Sequence, residues 1–279
     1  MKHLFANRTE PLPKHELRIS ITSACNMACV YCHNEGNCEH AFLTVNDVRN
    51  IVESAKGLGL ESVRITGGEP LVSREIHAIC KMLAEEYHLK VGINTNGIKI
   101  DTLLELIHAG WISRVVVGLD YFNHAISKKS PIGVPSSVIL ENVLKIKDAG
   151  CDVCVDTVYD GDYSNVSQMT AWAINHHIRI KIIEEVVPGR TGANPEYDSM
   201  KEHILKDFSL TPRVDDMGET NGYLGTFRAV SFFHSFCRLG DCAACKKLPV
   251  RITSSMIAKT CILEDEFHPY NQLPAQIPA

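Results

Sequence analysis

Three cysteines lie close together in Ala24-Cys-Asn-Met-Ala-Cys-Val-Tyr-Cys-His33, spaced as Cys25-x3-Cys29-x2-Cys32. Cysteine thiolates hold iron–sulfur clusters, and a [4Fe–4S] cube takes one ligand per iron. Three protein ligands leave one iron open to bind something else. A zinc knuckle or scattered buried thiols are the ordinary alternatives for three such residues. A second group, Cys237-x4-Cys242-x2-Cys245-x15-Cys261, has enough thiolates for a second metal centre, and four of them satisfy tetrahedral zinc equally well.

The remaining chain must position these groups. It has 279 residues, 45% apolar and 22% charged, with a formal net charge of −5. That is an ordinary globular composition, with no basic footprint for nucleic acid and no long apolar run for a membrane span. The first residues carry no apolar secretion-signal core, so a cytoplasmic location is expected. Eleven cysteines in a chain of this length do not suggest a secreted disulfide scaffold. Cys38, Cys80, Cys151 and Cys154 stand outside the two groups and read as buried small hydrophobes.

From Glu16 to Val186, short β-rich runs alternate with amphipathic segments. Strands are expected at 17–22, 62–66, 90–94, 115–119, 152–158 and 179–184, and helices at 44–58, 73–87, 101–109, 136–149 and 164–176. Thr44 with Asp47 three residues on resembles a capping box. Such alternation implies a parallel sheet with right-handed crossovers, and six units suggest an α/β fold of the partial (β/α)6, TIM-like barrel kind. The pattern breaks after Pro188-Gly-Arg-Thr-Gly192. Residues 190–230 show little periodicity, so 1–186 reads as the core barrel and 187–279 as a C-terminal extension carrying the second cysteine group.

In barrels of this kind, active sites gather at the C-terminal ends of the strands. Cys25–Cys32 follows the first expected strand, Thr66-Gly-Gly-Glu-Pro70 the second, Asn94-Thr-Asn-Gly97 the third and Gly118-Leu-Asp120 the fourth. Two glycines let backbone approach a ligand closely, and the adjoining Glu69 could accept hydrogen bonds from an ammonium group. A plain strand-to-helix turn with Pro70 at a helix start is the alternative. His176-His177, at the end of a helical pattern, reads as favourable charge at a helix C-terminus.

These motifs together resemble the radical S-adenosylmethionine (SAM) enzymes. In that superfamily the amino and carboxylate groups of SAM take the open iron, and an electron from the cluster cleaves the sulfonium to a 5′-deoxyadenosyl radical that removes hydrogen from carbon. The resemblance implies that Gly67, Gly68 and Glu69 seat the methionine end of SAM and that Tyr31 contacts its adenine. Over most of the chain, the similarity extends to the GTP 3′,8-cyclase family of molybdenum-cofactor biosynthesis. It is carried by Leu17-Arg-Ile-Ser20, Val63-Arg-Ile-Thr-Gly-Gly-Glu-Pro70, Asn94-Thr-Asn-Gly97, Arg114-Val-Val-Val-Gly-Leu-Asp120, Lys181-Ile-Ile-Glu184 and the C-terminal cysteines. It implies that Arg18, Arg64, Lys181 and Arg251 contact substrate, with Thr95 on the nucleotide side. Thr95, Asn96 and Gly118 are also cofactor-side candidates, and Cys237, Cys242, Cys245 and Cys261 are implied ligands of an auxiliary [4Fe–4S] cluster.

The departures from that family are informative. A serine expected on strand four is Gly118, a lysine on strand five is Cys154, and an arginine on strand six is Lys181, which keeps charge without bidentate geometry. A following methionine is Val186. The Arg-x-Arg pair is reduced to Pro249-Val-Arg251 and the Gly-Gly tail is absent. Polyphosphate recognition depends on clustered Arg and Lys, and here that cluster is thinned. The expected activity is hydrogen abstraction from a nucleotide-like or other small polar substrate, driving rearrangement, cyclisation, elimination or decarboxylation. The expected partners are that substrate and an electron donor such as flavodoxin or ferredoxin, with neither nucleic acid nor membrane. True GTP 3′,8-cyclase, a peptide-modifying maturase and a non-enzymatic zinc-binding protein are the alternatives.

Overall fold

The computed structural model describes residues 5, 10–29, 32, 41–122, 134–185, 194–234, 247–259 and 268–269. Tyr31, Cys38, Val186, Cys237, Cys242, Cys245 and Cys261 lie outside them.

Six strands, β1 (Glu16–Ser20), β2 (Ser62–Thr66), β3 (Lys90–Thr95), β4 (Arg114–Gly118), β5 (Asp152–Tyr159) and β6 (Arg179–Glu184), pair in chain order and in parallel. Helices α1 (Val45–Ala55), α2 (Ile76–Lys81), α3 (Ile100–His108), α4 (Ser136–Asp148) and α5 (Tyr163–Asn175) fall between them. This is an α/β fold, and its element boundaries lie close to the sequence-based ones. The expected helix 73–87 is divided: Pro70–Val72 forms a 3-10 turn, and a π-helical turn, Met82–Glu86, continues α2.

Each strand separates its side chains onto two faces, because successive residues point in opposite directions. Leu17, Ile19, Val63, Ile65, Val91, Ile93, Val115 and Val117 are all at most 1% exposed and form one continuous core. Each such side chain contributes about 1.5–3 kcal/mol by burial. The alternate positions, Arg18, Arg64, Gly92, Asn94 and Val116, face the other way. That second face is concave: side chains from five consecutive strands, β2 to β6, line one cavity.

Residues 190–230 were expected to be irregular, and the structure differs. Helix α6 (Pro195–Asp207) is capped by Asn194, whose side chain accepts from the Tyr197 amide at 3.3 Å, and it buries Tyr197, Met200 and Ile204. A hairpin of β7 (Thr211–Val214) and β8 (Thr220–Leu224) leads into β9 (Phe227–Phe233), which lies parallel to β6. At the other edge β10 (Val250–Ile252) lies parallel to β1, followed by antiparallel β11 (Ile257–Lys259) and β12 (His268–Pro269). Among the described residues the result is one twelve-stranded sheet in the order β12-β11-β10-β1-β2-β3-β4-β5-β6-β9-β8-β7. β9 and β10 were illegible because the strands that define them, β6 and β1, lie distant in sequence.

Tyr197 fastens this added edge. Its ring is fully buried, and its hydroxyl donates to the Ile182 carbonyl at 2.8 Å and accepts from the Phe233 amide at 3.0 Å. His234, just beyond β9, meets Glu219 at 2.8 Å through Nδ1 and Asp198 at 3.3 Å through Nε2, and its ring lies edge-on to Tyr197. Tyr197→Phe is expected to destabilise the fold by about 1–3 kcal/mol, since it strands a buried amide and carbonyl; chemical denaturation will measure this. The hydrogen bond to Glu219 raises the His234 pKa above its ordinary 6.5. Its stabilising contribution is therefore full below pH 6.5 and is lost as pH rises through the raised value. Thermal melts should fall with pH across that window, and the profile of His234→Gln should be flatter.

Candidate functional site

The first cysteine group leaves β1 at its C-terminal end. Cys25 and Cys32 are exposed and Cys29 is partly buried. The Cys25 sulfur accepts from the Met27 amide at 3.3 Å, and the Cys32 amide donates to the Cys29 carbonyl at 3.1 Å. Burial raises the Cys25 pKa, the Met27 bond opposes this, and Glu69, Cys29 and Cys32 raise it further. Negative charge on Glu69, Cys29 or Cys32 thus opposes ionisation of Cys25. A bound cationic centre would relieve that repulsion, so the donor set fits an iron–sulfur cluster. Among the described residues no group of three His, Cys, Asp or Glu side chains is arranged around a single metal ion.

What holds this loop in place is the Gly67-Gly68-Glu69 turn. The Gly68 amide donates to the Thr22 carbonyl at 2.7 Å and the Glu69 amide to the Ala24 carbonyl at 2.8 Å. A Cβ on Gly67 would stand 2.3 Å from Thr22 O, and one on Gly68 would stand 2.4 Å from Ala24 O. Both are impossible contacts with backbone. The close approach that requires the glycines is therefore to the cysteine loop itself, and Gly68 then also lines the cavity beyond.

Glu69 is fully buried. One oxygen accepts from the Leu71 amide at 3.0 Å and from the Thr95 hydroxyl at 2.9 Å, and the other accepts from the Asn96 amide at 2.7 Å. Burial pushes its pKa up, while the donors from Asn96, Leu71 and Thr95 pull against it. Asn96 in turn donates through Nδ2 to Asn26 Oδ1 at 2.7 Å, inside the cysteine loop. Loops after β1, β2 and β3 are thus tied into one unit. Asp120 does the same further along, with Oδ1 accepting from the Val158 amide at 2.9 Å and its carbonyl from Asn165 Nδ2.

Against this unit opens a cavity of about 290 Å³, near the lower end of small-molecule sites. Met27, Cys29, Gly68, Thr95, Asn96 and Gly118 are in its wall. A Cβ on Gly118 would meet only Thr95 O, at 3.9 Å, so the glycine leaves room where a serine was expected. Asn94 Oδ1 is buried with no hydrogen-bond partner among the described residues, and Asn94 lines the same cavity.

A second cavity, of about 160 Å³, adjoins the first along the concave face; Val116 and Asp156 line both. Arg64 and Lys181 face this smaller space, each with a partner: Arg64 meets Glu16 at 3.1 Å and Lys181 meets Asp156 at 2.6 Å. Arg18 lies between Arg64 and Arg251 in the strand register, so these three share one level of the sheet. Cys154 lines the smaller cavity, and burial, reinforced by Asp156, pushes its thiol pKa up to about 11. Cys80 and Cys151 are buried elsewhere. His176 and His177 follow α5, with His176 Nδ1 on the Trp172 carbonyl at 2.8 Å. Arg114, Asp156 and Arg179 also line the smaller cavity and were not singled out from the sequence as site residues. Their signal was strand alternation, which puts them on the same face as Arg64.

Cysteine loop, glycine turn and strand-end cavity define a class, and comparison with known proteins agrees. The sequence pattern of the Radical SAM superfamily matches residues 19–170, over half the chain, and the chain belongs to that superfamily. Within it, the chain is a divergent relative of the GTP 3′,8-cyclases. It is 28% identical to the GTP 3′,8-cyclase of Alkaliphilus oremlandii, over 94% of this chain and 83% of that protein. It is 31% identical to the probable GTP 3′,8-cyclase of Methanococcus maripaludis, over 89% of this chain and 85% of the other. Among solved structures it is similar to Streptococcus suis SuiB bound to S-adenosylmethionine, with a TM-score of 0.71 and 18% identity over 96% of this chain. The chain spans 65% of SuiB's length, and at that identity the likeness concerns the fold. No helix among the described residues is long and apolar enough to cross a membrane.

If Glu69 is the tie between loops, Glu69→Gln should destabilise the SAM-free protein by about 1–3 kcal/mol, because an amide nitrogen would face backbone donors. Urea unfolding without SAM measures this. An unchanged midpoint would mean the carboxylate serves only a ligand.

Proposed function

We propose that this radical SAM enzyme abstracts hydrogen from a nucleotide-like or other small polar substrate held on the concave face of a partial barrel, in a lyase- or cyclase-type reaction. The observation that carries the reading is the junction at Cys29: one cysteine of the loop shares a cavity wall with Gly68, Thr95, Asn96 and Gly118. Cys25, Cys29 and Cys32 would hold a [4Fe–4S] cluster which, with SAM bound, supplies reductive cleavage to a 5′-deoxyadenosyl radical. Gly67 and Glu69 fix the turn that presents Gly68. Thr95 and Asn96 hold the next strand end against it, and the apolar walls at Val116, Val158 and Ile183 limit water around the reacting carbon. Lys181 and Arg64 are the substrate-side cations. We assign residues 187–279 to an extension whose cysteines, Cys237, Cys242, Cys245 and Cys261, bind an auxiliary cluster; the first three fall in the stretch joining β9 to β10, at opposite edges of the parallel strands. A small electron-transfer protein, flavodoxin or ferredoxin, would supply the reducing electron.

True GTP 3′,8-cyclisation is the second reading, favoured by the relatives so named over most of the chain. A peptide substrate is the third, since a structural neighbour, SuiB, has been solved with a precursor peptide.

Anaerobic iron–sulfide reconstitution, reduction and incubation with SAM should yield 5′-deoxyadenosine, detected by mass spectrometry. Cys25→Ala, Cys29→Ala and Cys32→Ala should each reduce it to background and lower bound iron. Zinc binding without iron, together with no SAM cleavage by the unmodified chain, would sink the reading. Deuterium passing from labelled GTP into 5′-deoxyadenosine would select the second.

A further inference from the structure

The smaller cavity has a charge balance that bears on which substrate it takes. Six cationic side chains are in its wall: Lys14, Arg64, Arg114, Arg179, Lys181 and Arg228. Asp156, Asp215 and Glu219 share that wall, and Glu16 and Asp152 reach it through ion pairs with Arg64 and Arg179. In the wall itself six positive charges meet three negative ones, with Glu16 and Asp152 pairing Arg64 and Arg179 from outside it, and protonation of His234 on Glu219 adds one more positive charge. With Arg64, Arg179 and Lys181 each tied to a carboxylate, the wall has few cations left for a polyphosphate, which calls for several unpartnered Arg or Lys. It matches one small anion.

One incompletely bonded cation of this wall is Arg114. Arg179 Nη2 binds both Asp152 oxygens, at 2.5 and 2.6 Å, whereas Arg114 reaches the same carboxylate only at 3.8 Å. Arg114 Nε is buried and has no hydrogen-bond partner among the described residues. A buried donor left unmade costs free energy that a ligand acceptor recovers. The strand register sets Arg64, Gly92 and Arg114 side by side at one level, so two guanidiniums flank a position with no side chain. Burial lowers the Arg64 pKa, Glu16 opposes that, and Arg18 and Arg114 lower it further, as like charges do. An anion in the Gly92 gap would relieve that repulsion.

We propose that the gap over Gly92, between Arg64 and Arg114, seats a single anionic group of the substrate, a carboxylate or a phosphate monoester. This rests on the reading of the concave face as the substrate site, and it narrows the substrate to a molecule with one such group at the end remote from the cysteine loop. Reaction then takes place in the adjoining larger cavity, with the anionic end held on the far side of Val116 and Asp156.

The test is calorimetric titration of the full, iron-loaded chain without SAM, with inorganic phosphate, acetate and tripolyphosphate at constant ionic strength. Phosphate or acetate should saturate one site, and the tighter of the two identifies the group. Arg114→Gln should weaken that binding by at least about tenfold, as expected for loss of a charged hydrogen bond, with Arg114→Lys falling between. Gly92→Val keeps every charge but fills the gap. A Cβ there would lie in ordinary contact with Arg114, at 3.7 Å from its carbonyl, so the variant should fold and bind the anion poorly. Thermal melts verify folding of each variant. The proposal fails if no anion saturates, if tripolyphosphate binds more than about tenfold tighter than phosphate, or if folded Arg114→Gln and Gly92→Val bind like the unmodified chain. SAM cleavage without anion binding would remove only this inference, and anion binding without SAM cleavage would remove only the radical reading.

Discussion

The buried carboxylate of Glu69 is the constraint on which the candidate site depends. An isolated charge taken out of water costs several kcal/mol even after the protein relaxes, so Glu69 is tolerable only while its donors surround it. Those donors come from two places: Leu71, in the turn after β2, and Thr95 with Asn96, at the end of β3. If either moves away, the charge is stranded. The same residue's amide holds Ala24, one position before Cys25. A single side chain and its backbone thereby set the distance between the cysteine loop and the two strand ends that face it.

Strand alternation then decides what those strand ends look out on. Apolar residues at every second position bury beneath the helices, and the intervening positions are free to be polar because they face a concave space. That space has two chemical characters. Near the cysteine loop it is lined by Met27, Gly68, Thr95, Val116, Ile139 and Val158, a mixture of apolar wall and small polar groups. Towards the strand starts it is lined by guanidiniums and carboxylates in pairs. A substrate spanning both would have its reacting carbon in the less polar part and its charge in the other.

Much of this was legible in the sequence. The apolar runs of β2 and β6 were bounded correctly because Ser62–Thr66 and Arg179–Glu184 sit between clear helical patterns. The cysteine spacing and the Gly67-Gly68-Glu69 turn placed the site at the strand ends. The role of the glycines differed in kind. From sequence they read as room for a ligand, and in three dimensions they make room for Thr22 and Ala24, because only the fold brings the segment before Cys25 against β2. The edge formed by α6, β7, β8 and β9 was missed for a related reason. Asn194-Pro195 is a helix start in plain view, but Tyr197, Met200 and Ile204 give too short an apolar stripe to stand out, and β7 is exposed along its length. Arg114 escaped notice because its meaning lies in the register that puts Gly92 beside it.

The sequence relatives are named GTP 3′,8-cyclases or probable ones, whereas one structural neighbour was solved bound to a precursor peptide. The fold cannot arbitrate, since one scaffold serves unrelated substrates through the side chains grafted on it. Side chains can. Where a polyphosphate site would concentrate unpaired cations, this chain pairs Arg64, Arg179 and Lys181 with Glu16, Asp152 and Asp156, and puts Cys154 in the wall. Ion pairs of this kind fix the side chains in position and lower the field they project, so they favour recognition by shape and a few hydrogen bonds over recognition by net charge. The paired charges on the smaller cavity and the Glu69 tie behind the cysteine loop are thus two separate constraints on one concave face.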